Sequence, residues 1–233
     1  GIDLALHGAI AVVTVNDNAD NAIYTATKMG DVTVTSDSSS GTFGLTGNVD
    51  ITKYHSNSAA DGYDRLDWTN AFEGGVIWNP GANLPTPANL DIDFTSDMHY
   101  RVAGTVSGEQ NNGNTILTAG DVNVTGTAEF AVSKYDRDLG TITDATLNSY
   151  AFNLQGGFSV GTEIDMNLAG AIAVVTVNDN ADNAIYTAIK VQDANVTAST
   201  GTDTFGLDGQ LDIDYYHSNS AADGYDRLDW TNA

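Results

Sequence analysis

The sequence predicts an all-β protein, an antiparallel meander of long amphipathic strands arranged in tandem repeats. Three observations lead to this prediction. Apolar and polar residues alternate along most of the chain, the separating segments are rich in Asn, Asp, Ser and Gly, and no long segment has the apolar spacing of a helix. The repeating units are expected to be β-sandwiches or solenoid-like layers, with an up-and-down β-barrel as the alternative.

A long internal repeat sets the domain organisation. Residues 1–71 align without a gap with residues 163–233, and 51 of the 71 positions are identical. We therefore predict one full repeat period, residues 1–162, followed by the start of a second, truncated copy, residues 163–233. A fainter similarity inside the period indicates two half-units, residues 1–89 and 90–162.

The alternating segments predict six or seven strands per period. The apolar positions that define them run from Ile2 to Val12, Phe43 to Ile51, Leu90 to Val102, Val122 to Val132 and Phe152 to Val174, the last series with a turn at Gly161-Thr162. A further segment, from Ile23 to Val34, changes phase near Gly30-Asp31, which predicts a β-bulge or a turn at that point.

Asn, Asp, Ser and Gly favour turns because their side chains bond to nearby backbone or tolerate left-handed conformations. Segments rich in these residues predict the loops, which are Asn16–Asn21, Ser36–Thr42, His55–Asp64, Asn79–Asn89, Glu109–Asn114 and Asp136–Ser149. All three prolines lie in the segment from Pro80 to Pro87, so no predicted strand contains one.

Composition excludes several classes of function. The chain has 31 acidic and 8 basic residues, a formal charge of −23, which argues against nucleic acid as a partner because phosphate binding needs clustered Lys and Arg. It contains no cysteine, so disulfides and thiolate metal sites are impossible. The signatures GxSxG, HExxH, GxxxxGK[ST] and GxGxxG are missing and the four histidines are far apart in sequence, so we expect no enzyme.

Two acidic segments are candidates for ion binding. Asn16–Asn21 and its copy at residues 178–183 place carboxylates at Asp17, Asp20, Asp179 and Asp182, and calcium prefers such oxygen ligands. The alternative is an Asx-rich hairpin loop without an ion. In the second segment Asp61, Asp64 and Asp67 either converge on an ion or stay solvated, with Arg65 paired to a neighbouring Asp.

The tandem copies, the absence of cysteine and the abundance of Thr, Asn, Asp and Gly resemble bacterial repeat adhesins, filaments and surface-layer proteins. This resemblance implies a structural role at the cell surface or outside the cell, with neighbouring repeats or identical subunits as partners.

The long alternating faces and the loop-flanking aromatics are also similar to Gram-negative porins, and the opening Gly1-Ile-Asp-Leu-Ala-Leu-His-Gly resembles a porin's first strand. That resemblance implies an outer-membrane barrel with a cation-favouring pore. An even number of strands per period would keep the loops of every copy on one side of the membrane. A third interpretation is a carbohydrate- or ion-binding module that uses the Asp/Asn loops and an exposed Trp68.

Overall fold

The computed structural model describes residues 3–40, 43–108, 115–119, 122–140, 142–160, 164–200 and 209–231. These ranges contain ten strands: β1 Asp3–Asp17, β2 Ala22–Ser40, β3 Phe43–Ala59, β4 Met98–Ser107, β5 Thr115–Ala119, β6 Val122–Asp136, β7 Ala145–Val160, β8 Ile164–Asp179, β9 Ala184–Thr200 and β10 Gly209–Ala221. A short 3₁₀ helix, Pro80–Asn83, lies between β3 and β4.

All ten strands belong to one antiparallel sheet. Its order is β1-β2-β3-β4-β6-β7-β8-β9-β10, and β5 pairs with both β3 and β6. The predicted all-β antiparallel meander is therefore confirmed. No helix in the described part of the chain is long and apolar enough to cross a membrane.

The described residues of one period form seven strands, and these strands occupy six positions in the sheet. Both β4 and β5 pair antiparallel with β3 on one side and with β6 on the other, so β5 continues the line of β4. Because six is even, β8 runs in the same direction as β1. The turns at residues 18–21 and 180–183 consequently lie at the same end of the strands, which we call the upper end.

The repeated sequence adopts a repeated geometry. Val13 lies opposite Ala26 in the first copy, and Val175 lies opposite Ala188 at the equivalent place in the second. The bulge predicted near Gly30-Asp31 is confirmed, because the β1–β2 register shifts between His7 and Ala9 and Asp31 has a φ of 49°. Glycine is required at position 8, where φ is 145° and a Cβ would lie 2.6 Å from Cγ2 of Val32.

The two faces of the sheet differ in chemistry. The apolar face carries, among others, Ile10 and Val12 on β1, Phe130 on β6, Phe152 on β7 and Ile172 on β8. The polar face carries Lys28 on β2, His55 on β3, Arg101 on β4, Glu129 on β6 and Asn153 on β7. Residues that lie opposite each other on neighbouring strands point to the same face of the sheet. Phe130, Phe152 and Ile172 are such partners on the apolar face, and Lys28, His55 and Arg101 are such partners on the polar face.

Several predicted boundaries are wrong. Residues 36–40, 55–59 and 145–149 were expected in loops but belong to β2, β3 and β7. The series that begins at Leu90 does not start a strand, since β4 begins only at Met98. Leu90, Ile92 and Phe94 are nevertheless buried, because this extended part of the loop packs one side against the sheet. The predicted loop 109–114 and the turn at 161–162 lie outside the described residues.

Candidate functional site

The candidate site is the upper part of the polar face together with the segment that covers it, residues 60–97, which we call the covering loop. Trp68, Leu90, Ile92 and Phe94 of this loop form a buried cluster with small residues of β1 and β2. Ala26 is fully buried and Ala11 is 3% exposed, so their short side chains let the loop approach the sheet closely. The covering loop therefore lies over the upper part of the polar face.

One buried asparagine anchors the covering loop. The side-chain oxygen of Asn57 accepts a hydrogen bond from Trp68 Nε1 at 2.8 Å, and its amide nitrogen donates to the carbonyls of Leu66 and Thr95 at 3.0 and 3.1 Å. Asn57 is 2% exposed, so these three bonds satisfy a polar group that burial would otherwise penalise. The sequence interpretation missed it, although the exact recurrence of Asn57 and Trp68 as Asn219 and Trp230 was a usable signal.

The second copy repeats this anchor. Trp230 Nε1 donates to the Asn219 side-chain oxygen at 3.1 Å, and Asn219 donates to the Leu228 carbonyl at 3.0 Å. Residues 228–230 of this copy are not in a strand. Trp68 is fully buried, which also overturns the idea that it is an exposed ligand-binding side chain.

A row of basic groups lies beneath the covering loop. Lys28, His55 and Arg101 are register neighbours on β2, β3 and β4. Lys28 Nζ donates to the Asp91 carbonyl at 2.7 Å and lies 3.4 Å from an Asp93 carboxylate oxygen. Arg101 Nε donates to His55 Nδ1, and the His55 ring stacks on Phe94 with centroids 4.9 Å apart. Lys28 on the sheet thus faces an acidic side chain of the loop, and His55 packs against an aromatic ring of the loop.

Arg65 joins the covering loop to more distant strands. Its guanidinium pairs with the Asp136 carboxylate at the end of β6 and lies 3.2 Å from His99 Nδ1. His99 Nε2 is in turn 2.8 Å from Asp136. The expected pairing of Arg65 with a neighbouring Asp is therefore wrong, because the partner is 71 residues away in the chain.

The acidic loop segment serves a local structural role at Asp67. Its carboxylate accepts hydrogen bonds from the Thr69 hydroxyl at 2.6 Å and from the Asn70 amide at 2.9 Å. These bonds hold the pKa of Asp67 below its usual range. The structure does not bring Asp61, Asp64 and Asp67 together in a metal-binding cluster, and the part of the chain that the structure describes contains no group of three His, Cys, Asp or Glu side chains placed to hold a metal.

Below the covering loop the polar face is open. A hollow of about 880 Å³ is lined by residues of five strands that include Glu129, Asn153, Gln155, Gln192 and Asp193. Glu129 accepts a hydrogen bond from the Asn153 amide at 2.9 Å. Such a surface offers hydrogen-bonding and charged groups to water and dissolved ions along the length of the strands.

The four predicted calcium ligands lie in two equivalent turns. A carboxylate oxygen of Asp17 accepts from the Ala19 backbone N–H at 2.9 Å, and one of Asp179 accepts from Ala181 and Asp182 at 3.1 and 3.2 Å. These are Asx-type turns, in which the carboxylate bonds to its own loop. The structure brings Asp17 and Asp20 into one turn and Asp179 and Asp182 into the other, and calcium binding there stays a prediction.

Replacing both Asp17 and Asp20 with Asn tests the calcium prediction. Asn keeps the side-chain oxygen that accepts from Ala19 but removes two charges that would bind a cation. We expect the double variant to lose thermal stability only when calcium is present, by about 2.7 kcal/mol at a calcium concentration 100 times the dissociation constant. Calorimetry in calcium and in EDTA measures this difference. An equal loss of stability in both solutions would contradict calcium binding at this turn. The double variant Asp179→Asn with Asp182→Asn is the matched test in the second copy.

Comparison with protein-family models, curated proteins and solved structures finds no match to this chain. Proposals about function therefore depend on the geometry of the sheet and its two faces.

Proposed function

We propose that this chain forms part of the wall of a bacterial outer-membrane protein, with its apolar face against lipid and its polar face along a water-filled passage for ions. The observation that carries the proposal is an apolar band on β6, β7 and β8. At the upper end of the band, Val132, Tyr150 and Val174 lie opposite one another on the three strands. At the other end the cross-strand partners are Val122, Val160 and Ile164. The pairing between these rows has no register shift, so the band is continuous across the three strands.

The length of this band matches a bilayer. In β7 it spans the eleven residues from Tyr150 to Val160. Eleven residues cover about 34 Å along a strand and about 24 Å at a tilt of 45°, close to the apolar height of transmembrane strands. Polar residues of the next row, Lys134, Asn148 and Thr176, mark the upper limit of the band.

Several apolar side chains on this face are exposed. Val12 is 60% exposed, Leu168 46% and Phe152 38%. An apolar surface that crosses so many strands costs free energy in water, about 25 cal/mol for each Å². Contact with lipid removes this cost, and the tyrosines Tyr54, Tyr100 and Tyr150 near the upper limit suit the headgroup region.

The polar face supports ion passage. Lipid on one side leaves water as the natural neighbour of Glu129, Asn153 and Gln155 on the other, and the covering loop partly closes this side at its upper end. The formal charge of −23 favours cations over anions in the passage.

Reconstitution of the purified chain tests the proposal. We expect it to need detergent or lipid to remain dispersed, to migrate differently on SDS gels before and after boiling, and to produce cation-favouring conductance steps in planar bilayers. A chain that is monodisperse in water and conducts nothing after addition to bilayers would contradict the proposal.

A second candidate is a structural repeat protein of the cell surface. It is favoured by the near-identical second copy, which continues the same sheet in the same direction as the first. On this alternative the chain stays soluble without detergent and assembles into long particles that electron microscopy would detect.

A further inference from the structure

We propose that the free edge of β1 is a docking edge for a β7-type strand from another copy of the 162-residue unit. Among the described residues β1 pairs with β2 along one edge and with no strand along the other. An unpaired strand edge presents a row of backbone N–H and C=O groups that another strand can bind.

The evidence for this partner is internal to the chain. β8 is the counterpart of β1 in the second copy, and Gly8–Asp17 recurs in it unchanged as Gly170–Asp179. The edge of β8 that corresponds to the free edge of β1 pairs with β7 along its whole length, from Ala145 opposite Asp179 to Val160 opposite Ile164. β1 therefore has nearly the same sequence as a strand that pairs with β7, but its corresponding edge pairs with no strand among the described residues.

The same comparison predicts the register. Tyr150 lies opposite Val174 and Phe152 lies opposite Ile172 in the β7–β8 pair. The equivalent positions on β1 are Val12 and Ile10, so a docked β7-type strand would place Tyr150 opposite Val12 and Phe152 opposite Ile10. Both β1 residues are at least half exposed, at 60% and 50%, and leave room for these partners.

β1 also lacks the side chains that often protect an edge. Natural edge strands are often blocked by Lys, Pro or inward-pointing charges. From Leu4 to Asn16 this strand contains no Lys, Arg, Pro, Asp or Glu. The absence of such residues fits an edge that is occupied by a specific strand, namely the last strand of another 162-residue unit. The β7 of this chain is not that strand, because β6 and β8 already pair with its two edges.

Cysteine cross-linking tests the proposal, since the chain contains no cysteine of its own. The probe is a synthetic peptide of residues 145–160 that carries Tyr150→Cys, added to the full chain carrying Val12→Cys in the buffer or detergent in which that chain is purified. The control peptide carries Ala151→Cys, which a β7-type strand in the predicted register places on the opposite face. A one-residue slip moves every side chain to the other face and loses several cross-strand pairs, so we expect the Tyr150 peptide to cross-link about tenfold faster.

A second pair, Ile10→Cys with a Phe152→Cys peptide, repeats the test if the first variant fails to fold. Equal rates for matched and control peptides, or no cross-linking with either pair, would overturn the proposal. Rapid cross-linking of the Val12→Cys chain to itself without peptide would also overturn it, because the partner would then be another β1. None of these outcomes depends on whether the apolar face contacts lipid.

Discussion

Replacing Trp68 with alanine is expected to release the covering loop from the polar face and to lower the free energy of unfolding by about 3–5 kcal/mol. The indole is fully buried among Ala11, Ala26, Leu90 and Phe94 and bonds to Asn57. Its removal leaves a cavity and an unpaired side-chain oxygen in the same place, and both effects destabilise the loop.

Thermal unfolding and limited proteolysis measure this effect, because a released loop exposes peptide bonds between residues 60 and 97. Trp230→Ala is the matched control. It removes the same residue from the same local sequence in the second copy, where the indole is only partly buried, so a smaller loss of stability is expected. Equal losses in the two variants would show that the packing of Leu90, Ile92 and Phe94 over Trp68 contributes nothing.

Replacing Phe152 with arginine is expected to weaken insertion into lipid vesicles by about 1–2 kcal/mol, because position 152 lies between the upper limit and the middle of the apolar band, whereas Asn153→Arg is expected to leave insertion unchanged. The two residues are adjacent in β7 but lie on opposite faces, with Phe152 in the apolar band and Asn153 bonded to Glu129 on the polar face. A charge at position 152 would enter the hydrocarbon, and a charge at position 153 would remain in water.

Urea titration of the chain folded in vesicles measures both variants, and the conductance of Asn153→Arg reports the polar face. We expect Asn153→Arg to fold normally and to shift ion preference away from cations, since it adds a positive charge to the passage. If Phe152→Arg and Asn153→Arg insert equally well, the apolar face does not contact lipid and the surface-repeat alternative gains support.

Local patterns predicted much of the sheet. The alternation of Val122 to Val132 identified β6, and the phase change at Gly30-Asp31 located the bulge, because both depend only on the period of two within a strand. The same reasoning failed at Leu90, Ile92 and Phe94. A loop that packs one side on a sheet has the same alternation as a strand, so the pattern alone does not distinguish them.

The candidate site was less predictable than the fold. Asp67 and Thr69 are neighbours in sequence and their turn is local, but Arg65 and Asp136 are 71 residues apart. Nothing in the sequence near Arg65 identifies that partner. The binding-module interpretation assumed an exposed Trp68, but the fold places Ala11 and Ala26 against it.

The all-β class and the repeat of 162 residues follow from the amino-acid sequence alone, because they depend on the spacing of side chains along one strand and on direct self-comparison. The fold was needed to show that β4 and β5 share one sheet position, that the covering loop packs over the polar face, and that the apolar residues of β6, β7 and β8 align into one band. These features depend on register and on contacts between distant segments, which a local period of two does not encode.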